Sequence, residues 1–217
     1  MAMHANYPES LLNYVMTQSE GLKLEGFMPS TMVDGATLML VGEAPGQTEI
    51  EQGLPFTGRA GENLFEQLTR IGHDRTNTFI VPAVKSRPYA IRRRARGITY
   101  PNRTPNQKEI DAHAVLLDWE IALQKPTCIV PIGNIGLQRL LGKAYKVGDY
   151  HGQIIQSPIL NYDTHAQGYV ESEAVYTIIP TFHPAATLYN PKLKTTVIED
   201  WNKIKAYLQN DETSKKN

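Results

Sequence analysis

The sequence predicts an α/β fold: a single domain of three layers, α/β/α, around a central, mostly parallel four-stranded sheet. Three observations predict it. Four short apolar runs alternate with segments of helical period. The runs are continuous rather than alternating, as in strands buried on both faces. The chain of 217 residues is long enough for one core of this size.

In order, residues 8–17 have helical character, and a polar, glycine-containing stretch follows to Gly35. Residues 37–41 (TLMLV) form the first strand, which stops at Gly42. The loop over 42–61 exceeds an ordinary strand-to-helix connection, and long loops in compact domains are usually functional. Ala60, Leu64, Phe65, Leu68 and Ile71 then mark a helix. Residues 77–84 (NTFIVPAV) give a second strand, with Pro82 at odds with it. A second long loop, 85–105, carries the segment IRRRARG. Residues 106–124 form an amphipathic helix with Ile110, Ala114, Leu117 and Ile121 on one face. CIVPIG (128–133) is the third strand, and a helix starts at Asn134. The polar stretch 147–172 is an edge hairpin or an irregular excursion. Residues 175–181 (VYTIIPT) make the fourth strand, which runs into Phe182, His183 and Pro184. From Lys194, the residues Val197, Ile198, Trp201, Ile204 and Leu208 fall on a helical period. The one domain spans 1–217, with its core over about 37–208 and a frayed polar tail over 209–217.

Composition excludes several classes. Lys plus Arg and Asp plus Glu are 22 each, so bulk charge does not hold this protein to nucleic acid. A local basic patch still can. Cys128 is the one cysteine, which excludes an intramolecular disulfide and any cluster held by four cysteines of this chain. No run approaches the roughly 18 apolar residues of a membrane span, and the N-terminus lacks a basic-then-apolar signal. The expected protein is cytoplasmic, free of membrane and monomeric.

Three strands end in conspicuous polar loops: GEAPG, VKSRP and TFHPA. In open α/β sheets, ligands bind beyond the carboxyl ends of the strands. Gly42 and Gly46 permit a sharp turn, but no Lys-Ser/Thr follows, which argues against a nucleoside triphosphatase. Glu43, Glu49 and Glu51 share one loop. A carboxylate in a partly closed pocket can orient or deprotonate water, whereas most loop glutamates are simply solvated. Phe56 offers a flat face to a base or plugs the core. His183 leaves a buried strand with Pro184 holding it extended. No second His or Cys stands at ligand spacing from it, so no metal is expected. Arg92, Arg93, Arg94 and Arg96, with Lys85, Arg87 and Arg103 nearby, suit a line of backbone phosphates. A solvated charged loop is the plain alternative.

GEAPGQTE (42–49), GLPFTGRAG (53–61), VKSRP (84–88), NRTPNQKEI (102–110), IGNIG (132–136) and TFHPA (181–185) together resemble the uracil-DNA glycosylase superfamily. The nearest branch is the iron–sulfur one, family 4. The resemblance runs over about 37–201. It implies removal of uracil, or a related altered base, flipped out of DNA in base excision repair. Glu43 and Glu49 match the family's motif carboxylates, which place water and balance the positive sugar. His183 matches its donor to the departing base. Phe56 matches the stacking aromatic, and Gly42, Ala44, Pro45 and Gly46 match the pocket wall. Lys85, Arg87, Arg92, Arg93, Arg94, Arg96 and Arg103 are the expected DNA contacts.

The chain departs from that pattern in three ways. The four cluster cysteines are missing, with Ser86 and His113 standing at two of the positions, so no iron–sulfur cluster and no other cofactor is expected. Pro82 stands where the family reads the base with an asparagine, and proline offers no amide. Asn77 or Asn102 could substitute only in a rearranged loop. Residues 89–101 (YAIRRRARGITYP) are inserted. A related branch that links covalently to uracil-DNA has an essential histidine hereabouts; this insertion has none, so that chemistry is not expected. Two alternatives stand beside the glycosylase: a catalytically weak DNA-binding relative, which Pro82 favours, and a hydrolase of free nucleosides, which the arginines oppose.

Overall fold

The computed structural model describes residues 3–214. Strand β1 (Met3–His4), helix α1 (Glu9–Ser19) and the short strands β2 (Leu24–Glu25) and β3 (Thr31–Met32) come first. The first core strand is β4 (Leu38–Gly42), followed by α2 (Gln47–Gln52), α3 (Arg59–Arg70) and β5 (Thr78–Pro82). Then come β6 (Arg87–Pro88), β7 (Arg92–Arg94), β8 (Gly97–Thr99), α4 (Gln107–Gln124) and β9 (Cys128–Pro131). Helices α5 (Asn134–Leu141) and α6 (Val147–Tyr150) precede β10 (Ile155–Asp163) and β11 (Gly168–Ile178). The chain closes with α7 (Ala186–Tyr189) and α8 (Leu193–Ser214).

The central sheet has the order β10-β11-β9-β4-β5. The four expected parallel strands are there, as β11, β9, β4 and β5. A fifth, β10, adds antiparallel to β11 at one edge, so the sheet has five strands rather than four. The polar stretch is thus a long hairpin. Its strands extend past the core, and β11 meets β9 only near Ile178 and Ile129. Half-solvated strands carry mixed residues, which hides them in the sequence.

Each core strand sorts its residues by period two. Leu38 and Leu40 face Leu64, Leu68, Trp201 and Ile204 of α3 and α8. Met39 and Val41 face Leu117, Ile121 and Leu140 of α4 and α5. Helix α4 is not amphipathic as expected. Its far side is also covered, with Val115 and Leu116 packed against Ala5, Tyr7 and Val15. A helix sandwiched between a sheet and another helix reads as apolar all round. Pro82 ends β5 at the open edge of the sheet, where a missing N–H costs no ladder bond. The expected loop over 85–105 contains a hairpin, β7 with β8. Helix α8 runs on to Ser214, through most of the expected frayed tail; residues 215–217 of that tail lie outside the described residues. Among the described residues no helix is long and apolar enough to cross a membrane.

A buried ionic network joins the N-terminal segment, α4 and the end of β5. The Lys85 ammonium donates to Glu120 Oε2 (2.7 Å), to the Pro82 carbonyl (3.0 Å) and to Ser30 Oγ (3.1 Å). The Tyr7 hydroxyl donates to Glu120 Oε1 at 2.6 Å and accepts from the Ser30 N–H at 3.1 Å. Lys85 and Glu120 are both wholly buried. Burial pulls the Lys85 ammonium below its usual range, against the pull of Glu120.

Removing one member leaves a buried charge without its partner. Lys85→Met should therefore cost about 3–5 kcal/mol of stability, and Lys85→Met with Glu120→Leu should recover most of that loss. Urea unfolding of the two variants beside the parent checks it. A double variant no more stable than the single one would count against the network as described.

Candidate functional site

Strand β4 is followed on one side by β5 and flanked on the other by β9, so chain connections diverge at its carboxyl end. A crevice opens at such a switch point. Here it is a cavity of about 550 Å³. It brings together the expected Gly42, Glu43, Ala44, Pro45, Gly46 and Glu49 from the first loop. Phe56, Pro82, Arg103 and His183 complete the expected set that lines it.

Glu49 organises the first loop. Its Oε2 accepts the Gly46 N–H at 2.6 Å, reaching back from the first turn of α2 to its N-cap. Its Oε1 accepts the Phe56 N–H. Phe56 sits in the left-handed region, with φ 55°. A non-glycine residue there is strained and must be held. The Arg75 guanidinium donates to the Phe56 carbonyl at 3.0 Å and lies 3.9 Å over the Phe65 ring. Gly61 is required: a Cβ there would fall 1.8 Å from the Phe56 carbonyl oxygen. The result is an aromatic ring fixed against the cavity, 6.1 Å from the His183 ring.

Glu43, like Glu49, is a half-buried carboxylate of the cavity. Burial raises its pKa, and the Thr104 hydroxyl opposes that rise by donating to it. His183 is brought in by the strand end that bridges Ile132 and Thr181. Gly133, with φ 86°, lets this segment approach: a Cβ there would lie 3.2 Å from His183 Cβ. His183 Nδ1 accepts the Ala185 N–H at 3.2 Å. The neutral ring therefore carries its proton on Nε2, an assignment made from the hydrogen bond. Burial lowers its pKa, which favours that neutral form. The cavity thus offers a hydrogen-bond-accepting carboxylate, a fixed aromatic face and a ring N–H donor.

Some expected residues do not belong there. Lys85 is not a DNA contact, because its ammonium is spent inside the buried network. Arg87 is also buried, with Nε on Asn102 Oδ1 at 2.6 Å and its other nitrogens on Glu25 and the Tyr100 carbonyl. Arg103 reaches the cavity, but its guanidinium is held by Glu109, 2.6 Å from Nη1 to Oε2. Arg92, Arg93, Arg94 and Arg96 stand apart from the cavity on the exposed hairpin. Asn77 caps a turn at the opposite end of β5, its Oδ1 accepting from the Asp74 N–H at 2.8 Å. Asn102, in contrast, lines the cavity.

Sequence reasoning missed Met28, Thr104 and Tyr189 in the lining, and Arg75 behind Phe56. Thr104 sits in the NRTP segment, which was a signal. Met28 and Arg75 carry none. Their roles depend on contacts with distant chain.

The residues present do not fit an iron–sulfur cluster. Cys128 faces the sheet core, where burial pushes its thiol up to about 12. His113 Nδ1 accepts the Lys85 N–H at 3.3 Å, while its Nε2 is buried with no partner among the described residues. Burial drives its pKa down to about 3. The Phe27 ring stacks on its ring, with centroids 6.5 Å apart. No group of three metal-ligating side chains exists among the described residues.

The sequence pattern of the Uracil DNA glycosylase superfamily matches residues 29–205. A Type-4 uracil-DNA glycosylase of Pyrobaculum aerophilum is 38% identical over 161 residues, 72% of this chain and 70% of that protein. One of Sulfurisphaera tokodaii is 34% identical over 171 residues, 78% and 69% respectively. One of Thermotoga maritima is 31% identical over 177 residues, 80% of this chain and 79% of that protein.

The two carboxylates should respond oppositely to neutralisation. Glu49→Gln turns an acceptor of two backbone N–H groups into a partial donor, and should cost about 1–3 kcal/mol. Glu43→Gln relieves a buried charge and should leave stability unchanged or raised. Thermal unfolding at pH 7 measures both, and a large loss for Glu43→Gln would assign that carboxylate a structural task.

Proposed function

The chain belongs to the uracil DNA glycosylase superfamily, on its type-4 branch, and from this premise we propose that it hydrolyses the bond joining uracil, or a related altered base, to deoxyribose in DNA. It would act in base excision repair, as a cytoplasmic monomer. The observation that carries this reading is the convergence of Phe56, Glu43 and His183 on one cavity.

The base leaves the duplex, at a cost of a few kcal/mol, and stacks on Phe56. The bond from C1′ to the base breaks, and its electron pair departs on the base. His183 Nε2–H donates to the oxygen where that charge collects. Such a donor is strongest in a site that excludes water. Glu43 accepts a hydrogen bond from a water and faces the positive sugar. The water oxygen bonds to C1′, and its proton ends on the departing base. The products are the free base and an abasic sugar. Glu49 serves here as a positioning residue, through the Phe56 and Gly46 N–H groups. The hairpin arginines, away from the cavity, neutralise backbone phosphates of the bound DNA. Arg103 lies at the cavity for the same charge, already braced by Glu109.

Pro82 favours one other reading, a relative that binds DNA and scarcely cuts it. Excision from an oligonucleotide with a single uracil separates the two. Wild type should generate abasic sites, and His183→Ala should slow this by about 10²–10³. DNA binding without any excision would select the second reading.

The pH profile follows from the two titrating groups. Glu43 must be ionised and His183 neutral, so the rate should be flat above neutrality and fall on the acid side. The Glu43 midpoint should lie above 4.5, the value of a free glutamate, because burial raises it. Single-turnover rates across pH 4–9 check this, and a profile that falls on the alkaline side would reverse the assignment. Replacing Arg92, Arg93, Arg94 and Arg96 together by Ala should weaken binding and flatten the slope of log affinity against log salt by about 3–4. An unchanged slope would remove the hairpin from the interface.

A further inference from the structure

The chain reaches His183 through three residues, each tied to another part of the fold. The Gly152 N–H donates to the Pro180 carbonyl at 2.8 Å. The Thr181 hydroxyl donates to Asp200 Oδ2 at 2.9 Å. The His151 ring lies against the Phe182 ring, with centroids 4.8 Å apart. These ties form one cluster, because His151 Nδ1 meets Asp200 Oδ1 at 2.9 Å. An ionised carboxylate only accepts, so the proton of that bond is on Nδ1. Gly152 has φ 65°, and a Cβ there would run into the Asp200 carboxylate. Helix α8 supplies Asp200, and the end of α6 supplies His151 and Gly152. None of the three lines the site cavity.

A carboxylate is a costly group to put in this place. Thr181 is wholly buried and Asp200 is 1% exposed. Burial raises the Asp200 pKa, and the hydrogen bonds from His151 and Thr181 oppose that rise. On the same helix Val197, Trp201 and Ile204 fill the layer with apolar groups. One more such group would serve packing at least as well. What a carboxylate adds is direction, since its two oxygens fix a hydroxyl and a ring N–H in set geometry.

His183 is the group that this direction serves. Its own side-chain bond, to the Ala185 N–H, is local, and Gly133 beside it has no side chain. The ring therefore takes its place from the backbone on either side. Downstream, Asn63 of α3 donates to Thr187 Oγ1 at 3.1 Å, and Thr187 donates to the Pro184 carbonyl at 2.9 Å. Upstream, the side-chain tie is Thr181 on Asp200.

We propose that Asp200, paired with His151, is a positioning residue for base release: through the Thr181 hydroxyl it holds the strand end that carries His183, so that His183 Nε2–H meets the departing base. The inference rests on the glycosylase reading and adds two residues behind the site. A misplacement of about 1 Å at a reacting group costs about 10²-fold in rate.

The test is single-turnover release of uracil from an oligonucleotide that carries one, with DNA affinity measured on the same variants. Thr181→Val keeps the shape and removes the hydroxyl. It should slow release by about tenfold or more and leave affinity within about twofold, because the reacting group has moved and the DNA surface has not. Thr181→Ser keeps a hydroxyl and should recover most of the rate. His151→Ala alters a side chain that is 30% exposed, so the core is spared. It should slow release in the same sense, and it carries the test if Thr181→Val does not fold. Coupling to His183 decides the matter: in a His183→Ala background neither change should slow release further. Slowing of equal size in both backgrounds would overturn the inference and leave the glycosylase reading standing. So would an unchanged rate in both single variants, a loss of affinity that matches the loss of rate, or a rate that Thr181→Ser fails to restore. No release of uracil by wild type would remove that reading and this inference with it.

Discussion

One buried ammonium sets the inner boundary of the site. Lys85 reaches Glu120, Ser30 and the Pro82 carbonyl, and its own backbone receives Met28 and meets His113. It thereby locks together three stretches that are far apart in sequence: the N-terminal segment, α4 and the end of β5. An ion pair in such a place stabilises little in itself, since removing two charges from water costs several kcal/mol per ion. Its worth is in fixing one arrangement. A cluster in this region would staple comparable stretches through sulfur. This chain joins them through an ammonium, a carboxylate, the Tyr7 hydroxyl and packed aromatic rings.

The opposite wall is held with similar economy of means. Phe56 pays for its left-handed backbone, of order 1–3 kcal/mol, and three partners keep it there. Glu49 takes its N–H, Arg75 takes its carbonyl, and Gly61 leaves room for both. Strain of this kind makes the ring ready before any ligand arrives. His183 is prepared in the same sense, because the Ala185 N–H decides which ring nitrogen bears the proton. The chemical groups come from loops, but each loop is anchored to the end of a rigid parallel strand.

The core of the fold was legible because its signals are local. Residues 37–41 and 128–132 are continuous apolar runs, and Ile110, Ala114, Leu117 and Ile121 recur at helical spacing in α4. The site segments were legible because GEAPG and TFHP are compact motifs at strand ends and PFTG is another, between α2 and α3. What escaped depends on distant partners. A lysine between Val84 and Ser86 reads as a surface charge until Glu120, 35 positions on, comes to meet it. The hairpin over 92–99 has no apolar alternation to betray it, only arginines in its first strand and turn. Strand β10 lies at a half-wet edge and mixes polar with apolar residues. The left-handed Phe56 follows from closure of the whole chain and has no local signature.

Pro82 has a consequence beyond the pocket. On the glycosylase reading, a stretch of wall with no free donor or acceptor adds little to telling uracil, cytosine and thymine apart, so more of the choice rests on how readily a base leaves the duplex. What is sampled is lifetime outside the stack: a soundly paired base returns before the bond can break, whereas a mispaired or adducted one lingers. On that reading the strength of the DNA's own pairing becomes part of the selection, since chemistry can run only while a base is away from its partner.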